Sequence, residues 1–190
     1  MYKTNIVLSA EDCFRLKKEN NWKTFDNYSF HKLVYSFFPR EKQAKFSYNV
    51  EEDKDNYYID IYSSVIPNVV DWMNAETNRI NVDSVKEKDK CYFYLKVNAI
   101  KRKNGKFSNY VKNEDLQEFL NRKDTGIKFL DIKNFHNYKE KTYTKTGVHN
   151  TCVTRCEGII EIIDKIKFEQ ALLNGIGNEK TYGYGMLKVV

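Results

Sequence analysis

The hydrophobic spacing of this chain switches between a period of two and a period near 3.6 in the same order twice, and that recurrence limits the folds open to it. Residues 2–9 carry a strand signal, and a polar stretch containing Trp22 follows. Phe30, Leu33, Val34, Phe37 and Phe38 then recur at helical spacing over 28–38. Asp26 or Asn27 supplies an N-cap, and Pro39 ends the helix. Residues 44–50 and 56–62 read as strands around the acidic turn Glu51–Asp55; Tyr57, Ile59 and Ile61 alternate with Tyr58, Asp60 and Tyr62. A short helix over 68–75 and a short strand over 79–82 complete a βαββαβ order. The second half repeats it: a strand over 91–101, a helix over 113–122, strands over 127–133 and over 141–145 with 151–163, a helix over 164–173, and a strand over 186–190.

Two tandem ferredoxin-like (RRM-like) α+β units account for this repeat better than one domain. The charged segment Asp83–Lys90 places the division, with one unit over 1–84 and the other over 85–190. No run approaches eighteen apolar residues, and the start lacks a signal-peptide pattern, so a cytoplasmic protein with no membrane partner is expected. The net charge of +6 is unevenly spread. Residues 1–82 hold 11 Lys and Arg against 12 Asp and Glu, whereas 83–190 hold 21 against 14. One-sided basic charge is the electrostatic footprint of a nucleic-acid binder, although a plain lysine-rich surface has the same composition. Open four-stranded sheets, or their edge loops, suit RNA.

Half of the eight glycines fall in Gly175-Ile-Gly177-Asn178-Glu-Lys180-Thr181-Tyr-Gly183-Tyr-Gly185. A phosphate-binding Walker loop needs a strand before it, a helix after it and Gly-Lys-Ser/Thr; here the order is helix then strand, and Glu179 precedes Lys180. A dinucleotide fingerprint needs a third glycine where Lys180 stands. The segment is then either a loop that receives a polymer phosphate backbone, or a helix C-cap at Gly175 followed by a glycine-bent edge strand.

Chemistry has few carriers. His149, Cys152 and Cys156 form His-x2-Cys-x3-Cys, three ligands without a fourth at any common zinc spacing, so ordinary thiols and no metal are expected. The Glu51–Asp55 cluster reads as a solvated turn, not a carboxylate metal site. His31 lies one turn after Tyr28, off the apolar face of its helix, and so reads as accessible, whether as a reactive group or as a solvated surface histidine. RNA supplies its own nucleophile, the 2′-OH. A histidine can take that proton or give one to the departing 5′-oxygen, and a lysine or tyrosine can stabilise the phosphorane charge. No metal is required, and the products are a 5′-OH and a 2′,3′-cyclic phosphate.

Four segments together resemble a known family. Tyr28-Ser-Phe-His31-Lys-Leu-Val-Tyr-Ser-Phe-Phe-Pro39 resembles the Tyr-x-x-His…Phe-Pro helix of the CasE branch of CRISPR repeat-RNA endoribonucleases, the processing subunit of type I-E Cascade. Gly175 to Leu187 resembles its glycine-rich loop with a central lysine, Tyr92 to Lys101 its Asn-Pro-x-Lys strand, and Cys156-Glu-Gly158 its Phe-x-Gly strand. Ala99 stands where that strand commonly has proline, and the segment 11–27 is longer than usual. The resemblance implies metal-independent cleavage at the base of a repeat stem-loop and retention of the cut RNA. It also implies other Cascade subunits as partners, no cofactor, and a monomer when isolated. It makes His31 the catalytic histidine, with Tyr28 and Lys180 beside the scissile phosphate. Gly175, Gly177, Asn178, Lys180, Thr181 and Lys101 become expected RNA contacts. Lys139, Lys141 and Lys145 lie outside the matched motifs and read as a basic hairpin that either grips RNA or is merely solvated.

Overall fold

The computed structural model describes residues 1–39, 43–103 and 106–190. Strands β1 (Tyr2–Leu8), β2 (Phe46–Asp53), β3 (Asn56–Ser63) and β4 (Asn74–Arg79) form one sheet in the order β2-β3-β1-β4. Strands β5 (Lys90–Val97), β8 (Ile127–Thr144), β9 (Gly147–Ile162) and β10 (Leu187–Val189) form a second in the order β10-β5-β9-β8. All pairings in both are antiparallel. Numbered within its own half, each sheet has the strand order 4-1-3-2, with the first strand central and the hairpin to one side, so the tandem ferredoxin-like α+β architecture is borne out. A two-stranded ribbon, β6 (Ile100–Lys103) with β7 (Lys106–Asn109), is inserted after β5.

Helix α2 (Asn27–Ser36) forms where its apolar spacing demands it. Asp26 is the N-cap, its carboxylate accepting from the Tyr28 and Ser29 amides at 3.0 and 3.1 Å. Phe30, Leu33 and Val34, with Phe37 and Phe38 just beyond, are buried against Ile6, Leu8, Ile59 and Ile61 of the sheet. Each such side chain contributes about 1.5–3 kcal/mol of burial. The equivalent layer in the second half is α3 (Asn113–Asn121) and α4 (Lys165–Asn174), which bury Leu116, Leu120, Phe168 and Leu172 against Phe93, Leu95, Phe129 and Ile160.

Two expectations need correction in the first half. The polar stretch after β1 contains a further helix, α1 (Ala10–Glu19), started by a Ser9–Asp12 capping box and anchored by buried Cys13 and Leu16. Residues 68–75 are not a helix. They form a loop and turn leading into β4, which begins at Asn74, earlier than the strand expected over 79–82. The Asn68 amide donates to the carbonyl of Phe37 at 2.8 Å, drawing the loop along the end of α2. Val69, Trp72 and Met73 then pack on the same core that a helix would have covered, and Arg15 of α1 lies 4.1 Å over the Trp72 ring. Here α1 and α2 together form the helical layer, so the first half runs βααβββ.

In the second half, the strands expected over 127–133, 141–145 and 151–163 merge into one long β8–β9 hairpin with irregularities at Phe129/Asp131 and Ile132/Asn134. The helix-free faces of the two sheets do not open to solvent but partly face each other. Arg155 of β9 pairs with Glu51 of β2, Lys188 of β10 with Asp60 of β3, and Tyr94 Oη donates to Glu51 at 3.1 Å. Glu51, expected in a solvated turn, is therefore engaged at this interface.

Candidate functional site

The glycine-rich segment is shaped by its neck. After α4 the chain turns at Gly175, whose φ of 68° ends the helix while its amide still donates to Ala171 at 2.9 Å. Ile176 N donates to Gly185 O at 2.7 Å, and Gly185 N donates to Lys96 O of β5 at 2.6 Å. Gly185 has φ 86°, and a Cβ there would stand 2.2 Å from the Ile176 carbonyl oxygen. Between the two sides of this neck, Lys180–Tyr182 forms a single 3-10 turn. Gly183 follows it, lying so close to the Tyr48 ring that a Cβ would sit 3.1 Å from Cε2.

That turn reaches helix α2, about 150 residues away in sequence. His31 Nδ1 lies 2.9 Å from the Thr181 carbonyl oxygen, and Tyr48 Oη donates to the same oxygen at 2.6 Å. A carbonyl oxygen only accepts, so His31 Nδ1 must carry a proton. In the neutral ring the lone pair is then on Nε2, which is the atom left for proton chemistry. Burial pushes the Tyr48 phenol well above its ordinary value, keeping it a donor. Three tyrosines surround the imidazole. Tyr28 stacks with centroids 5.9 Å apart and planes 11° apart, Tyr35 lies at 4.3 Å, and Tyr182 lies at 5.6 Å.

Lys180 begins the same turn, exposed, with its stem over Gly175. With Thr181, Tyr35, Tyr48 and Lys45 it lines a concavity of about 470 Å³ beside the histidine. Tyr28, His31, Lys180 and Thr181 are thus assembled by two elements, α2 and the loop. Asn178 bridges to Asn98 at the end of β5, and Gly177 packs on Val97. The helix itself is held from behind: Asn27 Nδ2 donates to Glu140 Oε1 at 3.3 Å and to Tyr184 Oη at 3.4 Å, and Lys96, nearly buried, lies 3.4 Å from Glu140 Oε2.

The remaining expected contacts lie elsewhere. Lys101 pairs with Asp115 of α3 at 3.6 Å. Lys139 and Lys141 are exposed on β8 and, by strand alternation, point away from the face on which Glu140 and Thr142 approach Asn27 and Tyr184. Lys145 is at the hairpin turn. His149 does not converge with the two thiols. It projects from the opposite face of β9 to Cys152 and Cys156 and pairs with Glu179. Among the described residues, no group of three or more His, Cys, Asp or Glu could hold a metal ion. No described helix is long and apolar enough to cross a membrane.

Sequence reasoning missed Tyr35, Tyr48, Tyr182 and Lys45. Tyr35 is one turn after His31 on the same helix face, and Tyr182 lies two residues after Lys180, so both were open to a closer reading. Tyr48 and Lys45 carry no sequence signal, because they arrive on a different element.

A profile of the family described as "CRISPR associated protein" matches residues 1–190. The chain belongs to this family. No curated protein matches it. Solved CRISPR-associated structures share its fold. Thermus thermophilus Cse3 "bound to an RNA representing a pre-cleavage complex" superposes with a TM-score of 0.76 at 17% identity, covering 100% of this chain and 98% of that one. A CRISPR endoribonuclease Cse3 "bound to 19 nt RNA" gives 0.75 at 17% identity, with 100% of both chains covered. Cas6e from Escherichia coli str. K-12 gives 0.70 at 17% identity, covering 100% and 99%. The CRISPR-associated family to which the four motifs pointed is therefore borne out, and the fold is shared with Cse3 and Cas6e.

Proposed function

We propose that this CRISPR-associated chain is an endoribonuclease that cuts CRISPR precursor RNA at the base of the repeat stem-loop without a metal and remains bound to the product as a Cascade subunit. The observation that carries this reading is His31, fixed through Nδ1 on the Thr181 carbonyl with Nε2 left for proton transfer, beside a loop bearing Lys180. Support comes from the shared fold of proteins named as CRISPR endoribonucleases and solved with RNA, and of a chain from a CRISPR RNA-guided surveillance complex.

His31 Nε2 takes the proton of the 2′-OH, the 2′-oxygen attacks the adjacent phosphorus, the bond to the 5′-oxygen breaks, and that oxygen takes a proton from water, whose hydroxide is neutralised as His31 gives its proton up. The ends are a 2′,3′-cyclic phosphate and a 5′-OH. Lys180 and Tyr28 stabilise charge on the phosphorane, and Lys45 adds a second cation to the concavity. The unit over 1–84 carries the histidine. The basic unit over 85–190 carries the loop and grips RNA with Lys101, Lys139, Lys141 and Lys145, and with Gly175, Gly177, Asn178 and Thr181 at the loop itself. The protein works in the cytoplasm.

The test is single-turnover cleavage of a repeat stem-loop RNA in excess EDTA. Wild type cuts, and a 2′-deoxy substitution at the cut site blocks cutting but not binding. His31→Ala binds normally and cuts at least about a hundredfold more slowly, the scale of a general acid–base group. Undiminished cutting by His31→Ala removes its catalytic role, and binding without cutting by wild type leaves a non-catalytic RNA-hairpin-binding subunit of the same fold.

A further inference from the structure

Glu179 precedes the Lys180–Tyr182 turn in a left-handed conformation, φ 55° and ψ 29°. A residue with a Cβ enters that region at a cost of about 1–2 kcal/mol. Its carboxylate shows what holds it there. Oε2 accepts from Thr151 Oγ1 at 2.7 Å, and Oε1 lies 3.1 Å from His149 Nε2, which donates to it. Both partners belong to the distal half of β9. Thr151 in turn meets Thr142 of β8 at 2.6 Å, and Thr142 meets Tyr184 Oη, on the return side of the loop, at 3.2 Å. The loop is thus pinned to the long hairpin on both sides of the turn. Two residues after Glu179 comes Thr181, whose carbonyl oxygen holds His31.

We propose that Glu179 is a positioning residue: by tying the loop to His149 and Thr151 of the hairpin, it sets the Thr181 carbonyl and so fixes the tautomer and orientation of His31. The proposal rests on His31 being the reactive group named above. It also gives the hairpin a role. Lys139 and Lys141 sit on β8 and Lys145 at the turn of the same hairpin, so RNA held there acts on the histidine through one carboxylate and two residues of backbone.

Two readouts test this. In the free protein with 15N-labelled histidine, wild-type His31 shows the proton on Nδ1. Glu179→Gly, which keeps the left-handed backbone accessible and removes the carboxylate, lets His31 relax to the tautomer mixture of an unconstrained imidazole. The double variant His149→Ala/Thr151→Val does the same with Glu179 in place. In single-turnover cleavage of a repeat stem-loop RNA, both variants lose at least about tenfold in rate while the Kd for that RNA stays within about threefold, since displacing a reacting group costs rate far more than affinity. Glu179→Gln, which can still accept from Thr151, recovers most of the rate. An unchanged Nδ1–H signal in both variants overturns the proposal, and so does a wild-type cleavage rate in both. If the wild-type protein cuts no RNA, the proposed function fails, while the histidine spectrum still decides the role of Glu179.

Discussion

Replacing Gly185 by alanine tests whether the neck of the glycine-rich loop is what brings the loop to His31. Alanine at φ 86° costs about 1–2 kcal/mol from the left-handed backbone alone. Its Cβ would stand 2.2 Å from the Ile176 carbonyl oxygen and 3.0 Å from its carbon and nitrogen, all backbone, so no flexible side chain can yield. The neck must open. That breaks Ile176 N to Gly185 O, and strains Gly185 N to Lys96 O, in a buried setting where each unsatisfied group costs about 1–3 kcal/mol. Together the backbone term and the two unsatisfied groups give a loss of about 3–8 kcal/mol, a large part of the roughly 5–15 kcal/mol that holds a domain folded. For a chain of this size each kcal/mol moves Tm by about 2–4 °C, so a drop of about 6–32 °C is expected by scanning calorimetry. Cleavage by the fraction still folded should also fall, because Lys180–Tyr182 loses its seat against α2. A Gly185→Ala protein melting within about 3 °C of wild type would refute the reasoning.

Tyr48→Phe removes one of two donors to the Thr181 carbonyl but leaves His31 in place, so the carbonyl is not orphaned. A loss of about 1 kcal/mol in urea unfolding is expected, with reduced cleavage and unchanged RNA affinity; unchanged cleavage would detach Tyr48 from the site. Burial, with Glu157 adding to it, pushes the Cys156 thiol up to about 12. Unfolded, that thiol ionises near its ordinary value of 9.0, so the unfolded chain releases a proton that the folded chain keeps. Stability present below pH 9 is therefore lost as pH rises towards 12, by about 1 kcal/mol between pH 9 and 10. Tyr48 adds to the loss above pH 10. Chemical denaturation across this range should show the decline, and Cys156→Ala should lessen its slope between pH 9 and 10, where the raised Cys13 and Cys91 thiols still contribute; an equal slope in the variant would remove Cys156 as one of its sources.

The strands and helices of the second half were legible apart from the β6–β7 ribbon, because Phe93, Leu95 and Val97 alternate on β5 and the Asp164 cap, apolar α4 and Gly175 follow in order. The first half was legible where apolar spacing is strict, as in α2. It misled at 68–75, where Val69, Trp72 and Met73 keep a near-helical spacing for a different reason: the loop that Asn68 draws along the end of α2 turns these three side chains onto the core without a helical backbone. Helix α1 was hidden because only Cys13 and Leu16 are buried on it, too few for a periodic signal, although the Ser9–Asp12 capping box was there to be read.

Of the candidate site, Tyr28 and His31 could be paired from the helical repeat alone, since residues three apart share a face, and Lys180 could be singled out by its glycine neighbours. Local periodicity determines which side chains share one face of one element. It carries no information on which elements meet. Only the tertiary structure decided that the Thr181 carbonyl caps His31 Nδ1, that buried Tyr48 shares that oxygen, and that Glu179 is pinned by His149 and Thr151. These contacts join residues 28 to 150 positions apart, and they exist because α2, β2 and the long hairpin all converge on one glycine-necked loop.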